Sequence, residues 1–410
     1  MVKDEMTSIL ISCVLFRTKF IICGRKVISF NFKTCCNKSI SIAMENYLKK
    51  QKEKLKDEKG VFKVVMGNES CDLDSVVSSL VFAYFLYKVN KTTEFIVPVL
   101  NVCGKDLLLR TEVVYFLKKT NIDLEHLMCE EDINLQTLKD QNRLKLIIVD
   151  HNALSEEQTS LQGTIVQIID HHKINNPETI SRIDSKIEDV GSCSTLIAEE
   201  ILKFPNLIDS QIALLLLGTI LLDTVCLQES AKRVTEKDKV VAAKLEKYIK
   251  DINKEELFQE LLHAKFDTSN LSPEQLLRKD TKYISNGATN VAIASLPLLL
   301  KDIIQDDEFL LALEQLSIQK NLSFIVILGS QIVEDNGLVK RQIAIYDKSQ
   351  QFLNKVTSYL VGLENPSLCL CHVPVPISCV HLFEQENSSL SRKFILPAIQ
   401  KHLYSENCVT

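Results

Sequence analysis

Two continuous apolar runs of strand length, each ended by an aspartate, constrain the fold more than anything else in this chain. Leu144–Val149 runs into Asp150, and residues 165–169 run into Asp170-His171-His172. Runs with no polar alternation are buried on both faces, as in parallel strands covered by helices. Strand and helix patterns alternate around them. Phe62–Met66 is a β-rich run closed by Gly67, and Leu73–Val89 carries apolar residues at helical spacing. Residues 94–100 read as a second strand and 106–119 as a helix, with further helices over 192–203 and 211–222. This order predicts an α/β domain built on a doubly wound, mostly parallel sheet. Ligands of such sheets bind beyond the carboxyl ends of the strands, which is where these aspartates fall.

Four short motifs carry the chemistry. They are Asn68-Glu69-Ser70-Cys71-Asp72-Leu73-Asp74-Ser75, then Val149-Asp150-His151-Asn152, then Asp170-His171-His172, and Gly218 through Asp223. Asp72 and Asp74, two apart in a turn, can face the same way and reach two different cations. The plain alternative is a solvated turn in which Ser75 caps the next helix. Asp150 at the end of a buried strand needs a partner, because an unpaired charge there is costly. Two metal ions bridged by one carboxylate would satisfy it. Adjacent histidines after a strand-end aspartate suit metal or phosphate, against the plain reading of core imidazoles. Asp223 closes an apolar helix, so a metal ion or an arginine is required beside it. Hard oxygen and imidazole donors of this kind select divalent cations, whose usual work is on phosphate.

Past residue 255 the pattern changes. Ser272-Pro273 starts a helix, and strands are expected at 291–294, 324–328 and 342–346 with a helix over 307–320. The expected organisation is an extension over 1–43, a catalytic domain over 44–255, a linker over 256–265 and a smaller α/β domain over 266–410. Two cationic clusters lie in that last segment, Arg278-Lys279-Asp280-Thr281-Lys282 and Ser391-Arg392-Lys393. Guanidinium and ammonium groups at a helix start suit phosphate oxygens, although each cluster also reads as a solvated basic turn.

Composition excludes several classes. A formal net charge of -5 gives no field that would draw the chain to nucleic acid. The longest apolar stretch, 212–222, is about half the length of a membrane span and ends in Asp223. Thirteen scattered cysteines fit free thiols in a reducing compartment better than a disulfide scaffold. The first 43 residues hold seven Lys/Arg against two acids. A cytoplasmic location is expected, with a mitochondrial one as the alternative if residues 1–43 act as a presequence.

The four motifs in this order resemble those of the DHH phosphoesterases, and Asp280-Thr281-Lys282 with Ser391-Arg392-Lys393 resembles the associated DHHA2 domain. That pairing is shared by manganese-dependent family II pyrophosphatases and prune-type exopolyphosphatases. Gly67 through Ser75, Pro98-Val99-Leu100-Asn101 and Val190-Gly191-Ser192-Cys193 are closer to the prune type. The resemblance implies an active site in the cleft between the domains, with two Mn2+ ions for which Mg2+ or Co2+ could substitute. Asp150 would bridge the ions, Asp72 would hold one, and Asp74, His171 and Asp223 would hold the other. His151 and His172 would join Asp150 in catalysis, with Asn68, His172, Lys282, Arg392 and Lys393 on the substrate. Pyrophosphatases carry histidine where Asn68 stands, and an amide is a poorer ligand, so fast pyrophosphate turnover is not expected. His172 stands where vertebrate prune-type members have arginine. The implied activity is hydrolysis of short inorganic polyphosphates. Pyrophosphatase, cyclic-nucleotide phosphodiesterase and a weakly active scaffold are the alternatives, and nucleoside diphosphate kinase is an implied protein partner.

Overall fold

The computed structural model describes residues 42–91, 93–174, 177–332 and 339–406. They form two compact units that meet in sequence between Asp267 and Thr268. The expectation for residues 1–43 lies, apart from Ile42 and Ala43, outside the described residues.

The first unit has the doubly wound sheet. Its strands are β1 (Phe62–Met66), β2 (Phe95–Val99), β3 (Leu144–Val149), β4 (Ile165–Asp170) and β5 (Asp184–Ile187), in spatial order β2-β1-β3-β4-β5. Every pairing is parallel. Phe62, Val64 and Met66 of β1 lie in one core with Leu144, Leu146 and Ile148 of β3, while Val65, Ile147 and Val149 are buried on the other face. Burial on both faces is why these strands read as unbroken apolar runs. The order reverses between β1 and β3, so the chain leaving β1 and the chain leaving β3 emerge side by side at a topological switch point.

Seven longer helices belong to this unit: α1 (Ala43–Lys54), α2 (Leu73–Val89), α3 (Thr111–Lys119), α4 (Cys193–Ile201), α5 (Ser210–Asp223), α6 (Glu236–Glu246) and α7 (Lys254–Phe266). The helix expected over 106–119 is split into Gly104–Leu107 and α3. Leu107 and Leu109 are both buried while Leu108 is exposed. Burying both neighbours two apart suits extended chain better than one helix face. Residues 256–265, expected as a linker, lie inside α7. Leu257, Phe258, Leu261 and Ala264 are its buried stripe, and Tyr115 on α3 donates to Glu260 Oε2 at 3.1 Å. Among the described residues no helix is long and apolar enough to cross a membrane.

Gly218, in the fourth motif, serves packing rather than chemistry. A Cβ placed there would stand 2.4 Å from Cζ of Phe116, whose ring is fully buried. Helix propensity favours alanine over glycine by about 1 kcal/mol. Overpacking a core costs about 1–3 kcal/mol, and a rigid ring with nowhere to go puts this site at the upper end. Gly218→Ala is therefore expected to lower the stability of the protein by about 1–2 kcal/mol, the difference of those terms. A denaturation midpoint equal to or above that of the wild type contradicts this account.

The second unit has a six-stranded mixed sheet of order β10-β11-β9-β8-β7-β6. Its strands are β6 (Thr281–Ser285), β7 (Asn290–Leu296), β8 (Phe324–Ile332), β9 (Val339–Tyr346), β10 (Leu370–Val373) and β11 (Val380–Gln385). Its longer helices are α8 (Pro273–Lys279), α9 (Asp307–Gln319), α10 (Leu353–Val361) and α11 (Arg392–Glu406). Only β7 and β8 run parallel. Ala292 and Ala294 face a core with Leu313 of α9, and Val291 and Ile293 face another with Val356 of α10 and Ile395 of α11.

Candidate metal site

Each predicted acid is fixed by a different local device. Asp72 is the N-cap of α2, its Oδ1 accepting from Ser75 N at 3.2 Å, so the aspartate rather than Ser75 caps this helix. Asp74 follows in the first turn and is buried. It accepts from Cys193 N at 2.6 Å, Ser194 N at 2.8 Å, Ser194 Oγ at 2.7 Å and Ser78 Oγ at 3.2 Å. Those amides are the start of α4, where a helix presents unpaired N–H groups and favours an anion.

Asp150 leaves β3 with φ +62, a left-handed conformation that aspartate and asparagine tolerate better than most residues. Asn68 Nδ2 donates to its Oδ2 at 2.7 Å and to its carbonyl at 3.0 Å. Oδ1 is buried and has no aligned hydrogen bond, although His171 Nε2 lies 3.2 Å away as a charge partner. His171 is turned by its other nitrogen, Nδ1, which donates to Val190 O at 2.9 Å. Nε2 is thereby aimed at Asp150 and stands 3.8 Å from Asp74 Oδ2. A backbone bond at one ring nitrogen with the other presented to acids is how histidine is set up as a metal ligand.

Asp170 has another task. Fully buried, it accepts from His172 Nδ1 at 2.8 Å, His171 N at 2.8 Å and Asn152 Nδ2 at 2.6 Å. Burial alone would raise its pKa, but the bonds from His172 and Asn152 hold it below the ordinary value. It is an orienting carboxylate, and His172 keeps Nε2 for a ligand. His151 donates Nδ1 to Val149 O at 2.9 Å, its Nε2 is buried without a partner, and burial lowers its pKa.

Electrostatics show how closely the acids converge. Burial, then the charge of Asp74, raises Asp150 well above the usual carboxylate range, with Asp72 adding to it. Burial, then Asp74 and Asp72, does the same to Asp223, whose Oδ2 is buried and accepts no hydrogen bond. Burial would lower His171, but its bond to Asp150 and the charges of Asp74 and Asp150 push it up to about 11. The donor atoms of Asp150, His171 and His172 lie within 4.8 Å of one another. Asp223 Oδ2 without a partner, and Asp150 Oδ1 facing only imidazole nitrogen, both among crowded acids, fit divalent cations, which would supply the charge they lack.

The remaining predicted residues lie in the second unit. Arg392, the first residue of α11, donates Nη1 to Asp280 O and Nη2 to Asp280 Oδ1, both at 2.9 Å. That fork ties the two cationic clusters to each other, with Lys282 and Lys393 exposed beside it. The N–H groups of Cys193 and Ser194, the Ser78 hydroxyl and the Asn152 amide were not anticipated. Of these, Asn152 and Cys193 sit in quoted motifs, yet nothing in their spacing reveals a hydrogen bond to a distant carboxylate.

Acids and imidazoles gathered at the switch point of a parallel sheet define an α/β protein built to bind divalent metal. Two family models match the sequence, the DHH family, N-terminal domain over residues 63–220 and the DHHA2 domain over residues 259–402. The chain belongs to the DHH family, as its motifs indicated. It is 35% identical over 362 residues to exopolyphosphatase PRUNE1 of Homo sapiens, covering 88% of this chain and 79% of that protein. It is 29% identical over 360 residues to a putative exopolyphosphatase of Schizosaccharomyces pombe, covering 82% of this chain and 90% of that protein. A probable manganese-dependent inorganic pyrophosphatase of Brevibacillus brevis is 29% identical over 280 residues, covering 67% and 84%.

Proposed function

We propose that this chain hydrolyses phosphoanhydride bonds of short inorganic polyphosphates with the help of two manganese ions. The observation that carries the reading is Asp223 Oδ2, buried with no hydrogen bond and close to Asp74 and His171, beside Asp150, whose buried Oδ1 faces the His171 imidazole at 3.2 Å. The names of the relatives supply the substrate class. In this reading Asp150 would be shared by the ions, Asp72 would hold one, and Asp74, His171 and Asp223 would hold the other. Bound divalent ions supply a water of lowered pKa and neutralise charge developing on phosphoryl oxygens.

The chain's own groups do the rest. Asp74, locked by four donors, cannot swing away when the charge around it changes. Asp170 fixes the His172 ring through Nδ1, which leaves Nε2 to contact a phosphate oxygen. His151, neutral and donating through Nδ1, keeps an acceptor at Nε2 for a proton. Asn68 speaks against a dedicated pyrophosphatase. Its Nδ2 donates to Asp150 and its Oδ1 already accepts from Ser70 N at 2.9 Å, so it is poorly placed to hold a metal ion.

The test is a substrate panel. Purified full-length protein with manganese is expected to release phosphate from tri- and tetrapolyphosphate faster than from pyrophosphate or a cyclic nucleotide. Release from none of them, or an Asp150→Ala variant as active as the wild type, removes the proposal. A wild type that takes up no manganese leaves the scaffold alternative.

A further inference from the structure

The strap of chain over residues 190–194 serves the cluster twice. Val190 O sets the ring of His171, and the N–H groups of Cys193 and Ser194 hold Asp74. The strap is itself held from behind by Asp238, in α6, whose side chain is fully buried. Asp238 Oδ2 accepts from Gly191 N at 2.9 Å and from Thr235 N and Oγ1 at 2.7 Å each. Its Oδ1 accepts from Thr195 Oγ1 at 2.6 Å. No cation pairs with it among the described residues, so these hydrogen bonds alone compensate its burial.

The closeness of the strap is enforced by Gly191. A Cβ there would lie 2.5 Å from Thr224 Cγ2, 2.8 Å from Arg233 O and 2.9 Å from Asp238 Oδ2. Thr224 follows Asp223, so the strap is pressed between the end of the Asp223 helix and the Asp238 carboxylate. Asp238 also closes a capping box with Thr235 at the start of α6, which is its ordinary structural role. Capping does not call for Gly191 or Thr195, which lie on the strap and on α4.

We propose that Asp238 is a positioning residue for the metal cluster, clamping the 190–194 strap through Gly191 and Thr195 so that His171 and Asp74 face Asp150. The inference rests on reading that cluster as a metal centre. Its measure is manganese affinity, read from the spin resonance of free manganese in the intact protein, with no turnover required. Removing a direct partner of metal ligands costs about 10–100-fold in affinity, and Asp238→Ala, which acts one bond further out through the strap, is expected to cost about tenfold, the lower end of that range. Thr195→Val, which keeps the side-chain volume and deletes one bond of the clamp, should give a smaller loss, and it carries the test if Asp238→Ala does not fold. Asn253→Ala strips the cap of α7, where Asn253 accepts from Glu256 N at 3.2 Å, and serves as a control. It should reduce thermal stability and leave manganese affinity unchanged.

Turnover lost in Asp238→Ala at low manganese should return when manganese is raised. Unchanged affinity in both clamp variants, beside tight wild-type binding, overturns the inference and leaves the metal centre standing. An equal loss of affinity in Asn253→Ala reduces Asp238 to a stabilising cap and also overturns it. A wild type that binds no manganese overturns the metal centre and the inference together.

Discussion

Asp150→Asn is expected to abolish manganese-dependent phosphate release and the stabilisation that manganese gives the fold, while leaving the metal-free protein nearly as stable as before. The substitution isolates charge. Asparagine tolerates the left-handed backbone at this position, where φ is +62. Its amide oxygen can accept the Asn68 Nδ2 bond that Asp150 Oδ2 now accepts at 2.7 Å. What disappears is a buried carboxylate whose pKa is raised by its burial and by Asp74. A folded-state pKa above the unfolded value stabilises the fold at low pH, where the group is protonated in both states. That contribution is lost as pH rises through the folded value, so near neutrality the charged group opposes folding. Its removal also takes the charge partner from His171 Nε2, 3.2 Å away, so the two effects offset and the metal-free stability should change by no more than about 1 kcal/mol. With manganese at 100 times its dissociation constant the wild type should gain about 2.7 kcal/mol, and the variant should gain little. Loss of a bridging ligand should cost about a thousandfold or more in kcat, roughly 4 kcal/mol of barrier. A metal-dependent gain that disappears beside an almost unchanged metal-free stability separates this account from general damage to the fold. A variant that manganese stabilises as much as it does the wild type refutes it.

Much of the first unit was legible because its strands are buried on both faces. β1, β3 and α2 fall on the expected residues, and the order of motifs placed three of them at strand ends. What escaped was whatever depends on partners far away in the chain. β5 reads Asp-Ser-Lys-Ile and is partly exposed at the sheet edge, so it has no apolar signature. β10 and β11 are short or half-polar and form only by pairing with each other and with β9. Asp72 and Asp170 were recognised as acids, but their roles as cap and orienting group depend on Ser75 N and His172 Nδ1. Asp238 gave no signal at all. It sits in an ordinary helix start, and its bond to Gly191 spans 47 residues. Similarly, α7 looked like a linker because its buried stripe alternates with charges, and α3 and α5 supply the surface it covers.

Manganese uptake by the metal-free protein is expected to expel protons, with apparent affinity rising about tenfold per pH unit for each proton expelled. A ligating imidazole must be neutral at the donor nitrogen, and a ligating carboxylate must be ionised. The metal-free cluster violates the first condition near neutrality. His171 is pushed up to about 11, since the Asp150 bond and the charges of Asp74 and Asp150 outweigh the effect of burial. Burial and the neighbouring acids raise Asp150 and Asp223 as well. The Asp150–His171 pair therefore holds a proton that a cation must displace. Because these values are raised, proton competition strengthens as pH falls, and the affinity should climb across the window from about pH 6 to 8 without levelling off. Calorimetric titration in two buffers of different ionisation enthalpy reads the count directly, and about one to two protons per protein are expected. Asp150→Asn should reduce that count along with the affinity, because it removes the acceptor that keeps His171 charged. Identical heats in both buffers, or an affinity flat across that window, would mean that the cluster is already deprotonated and that its acids are balanced by something other than the His171 proton.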